Sequence, residues 1–331
     1  MTDQAIDIPQ RESSFLRAMR SMALIRESGV GMVGVGIVAF WILVAIFAKI
    51  EVFGYTVVEL SPYPPNATLF PLAPPGTSYI LDAGAQMLGS PVEEACTPIR
   101  FGENQGRFDC GTFWLGTDHI GRDILSRIIH GSRQVLVYGP WATFCAYLVG
   151  IPMGLAAGYR RGMVDDVLSF VANVILSFPV LVLYVIIIAT IGASGFNIVL
   201  AVTFASAPGI MRIVRGLALD LRTREYVFAA ETRGETPWRI MIVEILPNAR
   251  GPLIVDACLR LGYVIITIGV LGFLGLGLPP PDPDWGGMIN ETRQMAMTFP
   301  HMAAFPCIAI SSLVLGFNLL ADGLREVSLR D

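Results

Sequence analysis

At 331 residues, with 53% hydrophobic side chains, only 15% charged ones and a formal net charge of −4, and with a mean hydropathy of +0.61, the chain reads as an integral membrane protein rather than a soluble domain. The acidic balance and the lack of a basic stripe exclude nucleic acid as a partner. His119, His130 and His301 show no ligand spacing, and neither H-E-x-x-H nor C-x-x-C occurs, so no metal site is expected. No G-x-x-x-x-G-K-[ST] occurs either, so the chain is not expected to hold ATP in a P-loop, and no cofactor is expected on it.

The N-terminal tail, 1–29, carries Arg11, Arg17, Arg20 and Arg26, which places it in the cytoplasm. The first apolar run, 30–48, follows that polar tail and lacks an A-x-A cleavage site, so it is expected to stay as a signal-anchor span. Residues 49–113 then form a non-membrane insert on the extracytoplasmic side. Pro62, Pro64, Pro65, Pro71, Pro74 and Pro75 forbid a long helix there and favour extended, semi-rigid chain. Disulfides persist on that side, and Cys96 and Cys110 are placed to close the loop CTPIRFGENQGRFDC, worth about 3 kcal/mol on the chain-entropy model. Cys145, Cys258 and Cys307 fall in apolar spans and read as small hydrophobes.

The remaining core, 114–331, opens on WLGTDHIGRDILSRIIHGSR. Thr117 or Asp118 suits a helix cap, and Ile120, Ile124, Leu125, Ile128 and Ile129 would share one apolar face. Arg122, Asp123, Ser126, Arg127 and His130 would lie opposite, with Asp123 and Arg127 at pairing distance. The expectation is an amphipathic helix lying on the outer surface of the membrane.

The second span, 135–159, holds Gly150, Gly154 and Gly158, two overlapping G-x-x-x-G units on which another helix can pack closely. A third span, 167–191, is expected to bend near Pro179, and a GASG turn leads to a fourth, 196–213. The fifth, 253–274, contains Asp256 and Arg260 four residues apart, which are either a local pair snorkelling to the interface or part of a pathway. FLGLGLPPPDPDWG follows, with Trp285 suited to an interfacial anchor, then a short helix before Pro300 and a sixth span, 302–320. The arginine distribution puts both termini inside, making six transmembrane helices in an all-α fold.

Between the fourth and fifth spans lies a polar island, 219–250, rich in Arg and therefore cytoplasmic. Asp220 or Thr223 suits the cap of a helix to about Arg233, Gly234 suits its end, and Thr236-Pro237 suits the start of a second helix. Such a helix–turn–helix held out from a membrane domain is a docking handle, and Ala229-Ala230 would leave one face flat for a partner's backbone.

Ala229-Ala230, Gly234 and Leu246-Pro247 at this spacing resemble the EAA loop of permeases in binding-protein-dependent ABC importers. The string LGTD-x-x-GRD-x-LSR, with Gly116, Thr117, Asp118, Gly121, Arg122, Asp123 and Arg127, is similar to the signature of the dipeptide/oligopeptide C-type subunit. FLGLG with P-x-P-x-WG and FNLL-x-DGLR extend the likeness to the C-terminus. The resemblance implies a type I importer permease in the bacterial inner membrane, with a homologous second permease, two ATPase subunits that hold ATP and Mg, and an extracytoplasmic binding protein. It also implies that Glu225, Tyr226, Phe228, Ala229, Ala230, Glu231, Arg233, Gly234, Leu246 and Pro247 couple to the ATPase. The family's Glu position is Phe228 here, so a carboxylate contact would have to come from Glu225 or Glu231, or be absent.

Other classes fit less well. Gly192-Ala193-Ser194-Gly195 matches a short serine-protease string, but it is also an ordinary turn, and His301 falls at a span end. A secondary transporter working without an ATPase would be expected to carry inverted repeats and midplane charges, and no second copy of any motif is visible. The disulfide can be checked directly: Cys96 and Cys110 are expected to take an alkylating reagent only after reduction, and labelling without reductant would exclude the bridge.

Overall fold

The computed structural model describes residues 28–48, 50–52, 55–58, 60–63, 65–68, 70–82, 97–98, 107–279 and 282–328. Cys96 and the side chain of Cys110 lie outside them, so the expected disulfide falls outside the described residues, as does the tail through residue 27.

Helix α1, Gly29–Phe47, opens with Ser28 accepting from the Gly31 N–H at 3.2 Å. The insert supplies two small antiparallel sheets. The first is the hairpin β1 (Ile50–Val52) and β2 (Tyr55–Val58), and the second orders β3 (Thr77–Asp82), β5 (Arg107–Phe113) and β4 (Thr97–Pro98) as β3-β5-β4. Tyr63, Ala73 and Phe113 are buried beneath them, with Phe70 and Tyr79 stacked at 4.0 Å. The proline-rich chain is thus extended, as its residues require, but folded over an aromatic core.

The bundle follows as α2 (Ile124–Arg160), α3 (Met163–Leu176), α4 (Val180–Ile191), α5 (Gly195–Leu221), α6 (Glu225–Thr232), α7 (Pro237–Phe273), α8 (Trp285–Thr292) and α9 (His301–Ser328). Five of these helices, α1, α2, α5, α7 and α9, are long and apolar enough to cross a bilayer; α3 and α4, bent by 85° across the Pro179 joint, make a sixth, broken span. Pro179 caps α4 because its ring cannot continue the helix before it.

The tightest seam joins α2 to α5. A Cβ on Gly154 would lie 2.6 Å from the Met211 carbonyl oxygen, and one on Gly158 would lie 2.7 Å from both the Ala218 Cβ and the Arg215 carbonyl oxygen. Only glycine permits that approach of two backbones. On the other flank α1 lies along α9, where the Trp41 indole donates to Ser312 Oγ at 3.0 Å.

Three expectations change. The string 114–133 does not form a separate helix on a membrane surface: α2 starts at Ile124, capped by Asp123 rather than Thr117 or Asp118, and runs without a break into the span. Its expected polar face is buried too, with Arg127 only 4% exposed. Trp285 is not an interfacial anchor but fully buried; its Nε1 donates to the Ile128 carbonyl at 3.0 Å, and its ring meets Trp41 edge-on at 5.0 Å. The fifth span and the second helix of the polar island form one helix. Within α7 a widened π turn, Ile240–Ile245, relieves the missing N–H of Pro247 and the clash of its ring with the preceding turn.

Gly154→Leu is expected to lower the thermal stability of the detergent-purified protein by about 1–3 kcal/mol through overpacking. Gly36→Leu, at a position with open space around it, should leave the melting point near the parent's.

Candidate functional site

Helix α6 sits across the end of the bundle remote from the sheets. Its N-terminal residue Arg224 offers no side-chain cap, so neither Asp220 nor Thr223 serves as one. Val227 and Ala230 are fully buried in a cluster with Leu155, Tyr159, Val214, Ala218 and Met241. Glu225, Phe228, Ala229 and Glu231 are exposed. The flat pair expected from Ala229-Ala230 is therefore split: Ala230 fastens the helix to the bundle and Ala229 alone faces outward.

The turn after α6 follows from Gly234. At φ +76° it lets the Glu235 N–H reach the Ala230 carbonyl at 3.2 Å while the Gly234 N–H reaches that of Glu231 at 3.0 Å, closing a Schellman motif. Thr236 then precedes α7 in an extended conformation without a side-chain capping bond, and Pro237 takes the first helical position. Arg233 is held across this turn by Glu235 at 2.9 Å. Leu246 packs against the same core cluster, and Pro247 follows the π turn.

Two groups outside the motif tie α6 to the long helices. Tyr159, at the end of α2, donates its hydroxyl to Glu231 Oε1 at 2.9 Å. Arg222, at the end of α5, donates to the Tyr159 carbonyl at 2.7 Å and stacks on its ring at 5.4 Å. Glu231 is thus engaged from within, while Glu225 makes no ion pair among the described residues. Burial pushes the Tyr226 hydroxyl above its usual range, and that hydroxyl finds no hydrogen-bond partner among the described residues.

At the sheet end, residues 116–124 form a closed polar knot. The Asp118 carboxylate accepts from the Ile120 and Arg122 N–H groups and binds Arg122 Nε at 2.6 Å and Arg127 Nη1 at 2.9 Å. Glu291 of α8 completes it, bonding Arg122 and lying 3.1 Å from Arg127. The Asp123–Arg127 pair expected from spacing does not form; Asp123 instead caps α2 through the Ser126 N–H and hydroxyl at 2.7 and 2.6 Å, and burial raises its carboxyl above the ordinary range. Thr117 pairs with the insert at Ala73, accepting from its N–H at 2.8 Å. Gly116 and Gly121 take φ of +78° and +92°, a conformation that favours glycine.

Beside the knot, Asp284 caps α8 by accepting from the Gly286 and Gly287 N–H groups at 3.3 and 3.1 Å. Burial pushes its carboxyl up to about 6, although those two N–H groups and Arg127 pull the other way. Asp256 and Arg260 do pair, at 2.7 Å on α7, and Tyr147 of α2 donates to Asp256. Ser194 and His301 have other duties: Ser194 caps α5 through the Asn197 N–H at 3.2 Å, and His301 packs edge-on against Phe299.

Reasoning from sequence missed Tyr147, Tyr159, Arg222, Asp284 and Glu291. Asp284 carried a local signal, an acidic residue just before a short helix. The others meet their partners across spans, and no spacing rule reaches that far.

A bundle of apolar spans, one of them broken, with a short helix locked across one end, defines a polytopic membrane protein. Residues 150–330 match the family of binding-protein-dependent transport system inner membrane components, and the chain belongs to that family. Over 213 residues it is 41% identical to the glutathione transport system permease protein GsiD of Pectobacterium atrosepticum, covering 64% of this chain and 71% of the relative. It is 39% identical to the dipeptide transport system permease protein DppC of Alkalihalophilus pseudofirmus, covering 64% and 70%. The fold is similar to a chain of the MetNI methionine ABC transporter in an inward-facing conformation, with a TM-score of 0.53 at 19% identity over 62% of this chain and 97% of that one. The protein is thus a permease subunit of an ATP-driven importer, a membrane transport component rather than an enzyme.

Because the folded chain holds the Asp284 proton more tightly than the unfolded chain, this group stabilises the fold fully below its ordinary 3.8. The contribution is lost as pH rises through about 6. Asp284→Asn keeps a capping oxygen but cannot ionise, so its stability relative to the parent is expected to rise by about 2–3 kcal/mol between pH 4 and 7. Denaturation curves across that range check this, and a constant difference would count against it.

Proposed function

We propose that this permease imports dipeptides, oligopeptides or related solutes. It pairs with a homologous second permease, is driven by two ATPase subunits and receives solute from an extracytoplasmic binding protein. On this reading α6 and both termini face the cytoplasm of a bacterial cell, and the sheets and the polar knot face outward. ATP and Mg²⁺ belong to the ATPase subunits, and this chain binds no cofactor.

The observation that carries the reading is the seating of α6. Its outer side offers Glu225, Phe228 and Ala229 to a partner, while Val227 and Ala230 are clamped on the bundle and Tyr159 and Arg222 join it to α2 and α5. Force applied to α6 therefore reaches two long helices packed on glycine, which move as one body. Closure of the ATPases would rock that body and switch the open side of the pathway. Phe228 makes the contact at the family's Glu position apolar, and Glu225 remains as the unengaged carboxylate. The names of the dipeptide and glutathione permeases among the relatives support the solute class. A secondary transporter leaves α6 without a role.

Purification of the full complex tests this. The parent is expected to retain an ATPase, Ala229→Arg to retain roughly tenfold less because it obstructs the contact centre, and Ala229→Ser to behave as the parent. Gly234→Val, forced into a positive φ at a cost of about 1–2 kcal/mol, should keep ATP hydrolysis but lose its link to uptake. A parent complex without any nucleotide-hydrolysing protein would sink the proposal.

A further inference from the structure

Arg260 does more in this structure than neutralise Asp256. It borders a cavity of about 390 Å³ lined also by Thr143, Tyr184, Ser206, Gly209 and Thr267. An arginine inside an apolar span is costly unless it faces a partner or a pathway. Here part of the guanidinium is occupied, since Nε donates to Asp256 Oδ2 at 2.7 Å and the Tyr147 hydroxyl bonds both Asp256 and Arg260. The far end lies beside Gly209, where a Cβ would stand 3.3 Å from Nη1 and 3.5 Å from Nη2, so the lack of a side chain there makes room for both nitrogens at the cavity wall. Leu176, Val180 and Leu181, from both sides of the 85° joint between α3 and α4, line the same cavity.

We propose that Arg260 is the carboxylate-binding residue of the solute pathway, with its Nη1 and Nη2 end aimed into the cavity by Asp256. The assignment rests on the importer reading above and adds the chemistry of the solute: it carries a free carboxylate. A planar fork fixed at its Nε edge presents two parallel donors to a carboxylate. Thr143 and Thr267 donate to carbonyls of their own helices and Tyr184 bonds Ser206 and Thr267, so these hydroxyl oxygens keep lone pairs that can accept from the N–H groups of a peptide behind it. Asp256 tempers the attraction, which a pathway requires because a solute held too tightly would not leave. Since the cavity spans the α3–α4 joint, a change in that angle would reshape the site, coupling the bend to release.

A cysteine placed at Ser206 in the full complex, without nucleotide, reports on the cavity through its rate of labelling by a maleimide, with the parent's labelling subtracted. Millimolar alanyl-alanine is expected to slow that rate roughly fivefold or more, whereas alanyl-alanine amide, which lacks the carboxylate, should not. Arg260→Met should abolish the protection, Arg260→Lys should keep part of it, and Asp256→Asn should strengthen it; a merely structural pair would not give opposite signs for its two members. Equal protection by acid and amide, protection by neither, or protection that survives Arg260→Met would overturn the proposal. ATPase retention is read on the same complexes. If the ATPase is retained and protection is absent, only the Arg260 assignment falls; if no ATPase is found, the importer reading falls.

Discussion

The close approach of α2 and α5 along Gly150, Gly154 and Gly158 is the constraint on which the rest of the bundle depends. Inside a bilayer there is little hydrophobic gain from packing one apolar helix on another, so association rests on dispersion and close contact. Removing three side chains from one helix lets the other settle backbone to backbone over about two turns. The far ends of both helices then lie together, and Tyr159 and Arg222 meet there. That meeting forms the seat on which α6 rests. Helix α6 is thereby joined to both members of a tightly packed pair.

The opposite end is held by charge instead. Asp118, Arg122, Arg127 and Glu291 bury a polar network between the start of α2 and α8. Arg127 has two carboxylate partners and Asp118 accepts four hydrogen bonds. Such a network is strongly geometric, because a half-satisfied buried charge costs several kcal/mol. It fixes where the insert joins the membrane domain, since the same loop pairs with residues 70–73 of the insert through Thr117. One end of the protein is thus set by small apolar surfaces and the other by ionic complementarity.

Much of this was visible in the residues. Gly234 and Pro237 act locally, through a positive φ and a preset φ, so their roles could be read from spacing. The glycine ridge was equally legible, because four-residue spacing puts all three on one helix face. Pro179 marked the broken span for the same reason. The failures share a cause. In 114–133 the apolar periodicity is real, but it belongs to the first turns of a long buried helix. Arg127 there is held by Asp118 and by Glu291, far along the chain, while Asp123 turns instead to cap α2. Trp285 looked like an interface residue because amphipathic rings favour interfaces; the pocket that buries it is built by Gly131 and Trp41 from other helices.

Composition and local chemistry alone determined that the chain carries membrane-spanning helices, that one of them breaks at Pro179, and that a short helix closed by glycine stands between two of them. Those properties depend on neighbours a few residues apart, for which hydropathy, helical period and backbone φ are sufficient. Only the tertiary structure decided which alanine of Ala229-Ala230 faces outward, which carboxylate Arg127 binds, and that Arg260 opens onto a cavity. Each of those outcomes is a competition among groups from distant segments, and its winner is set by the few ångströms of separation that folding alone creates.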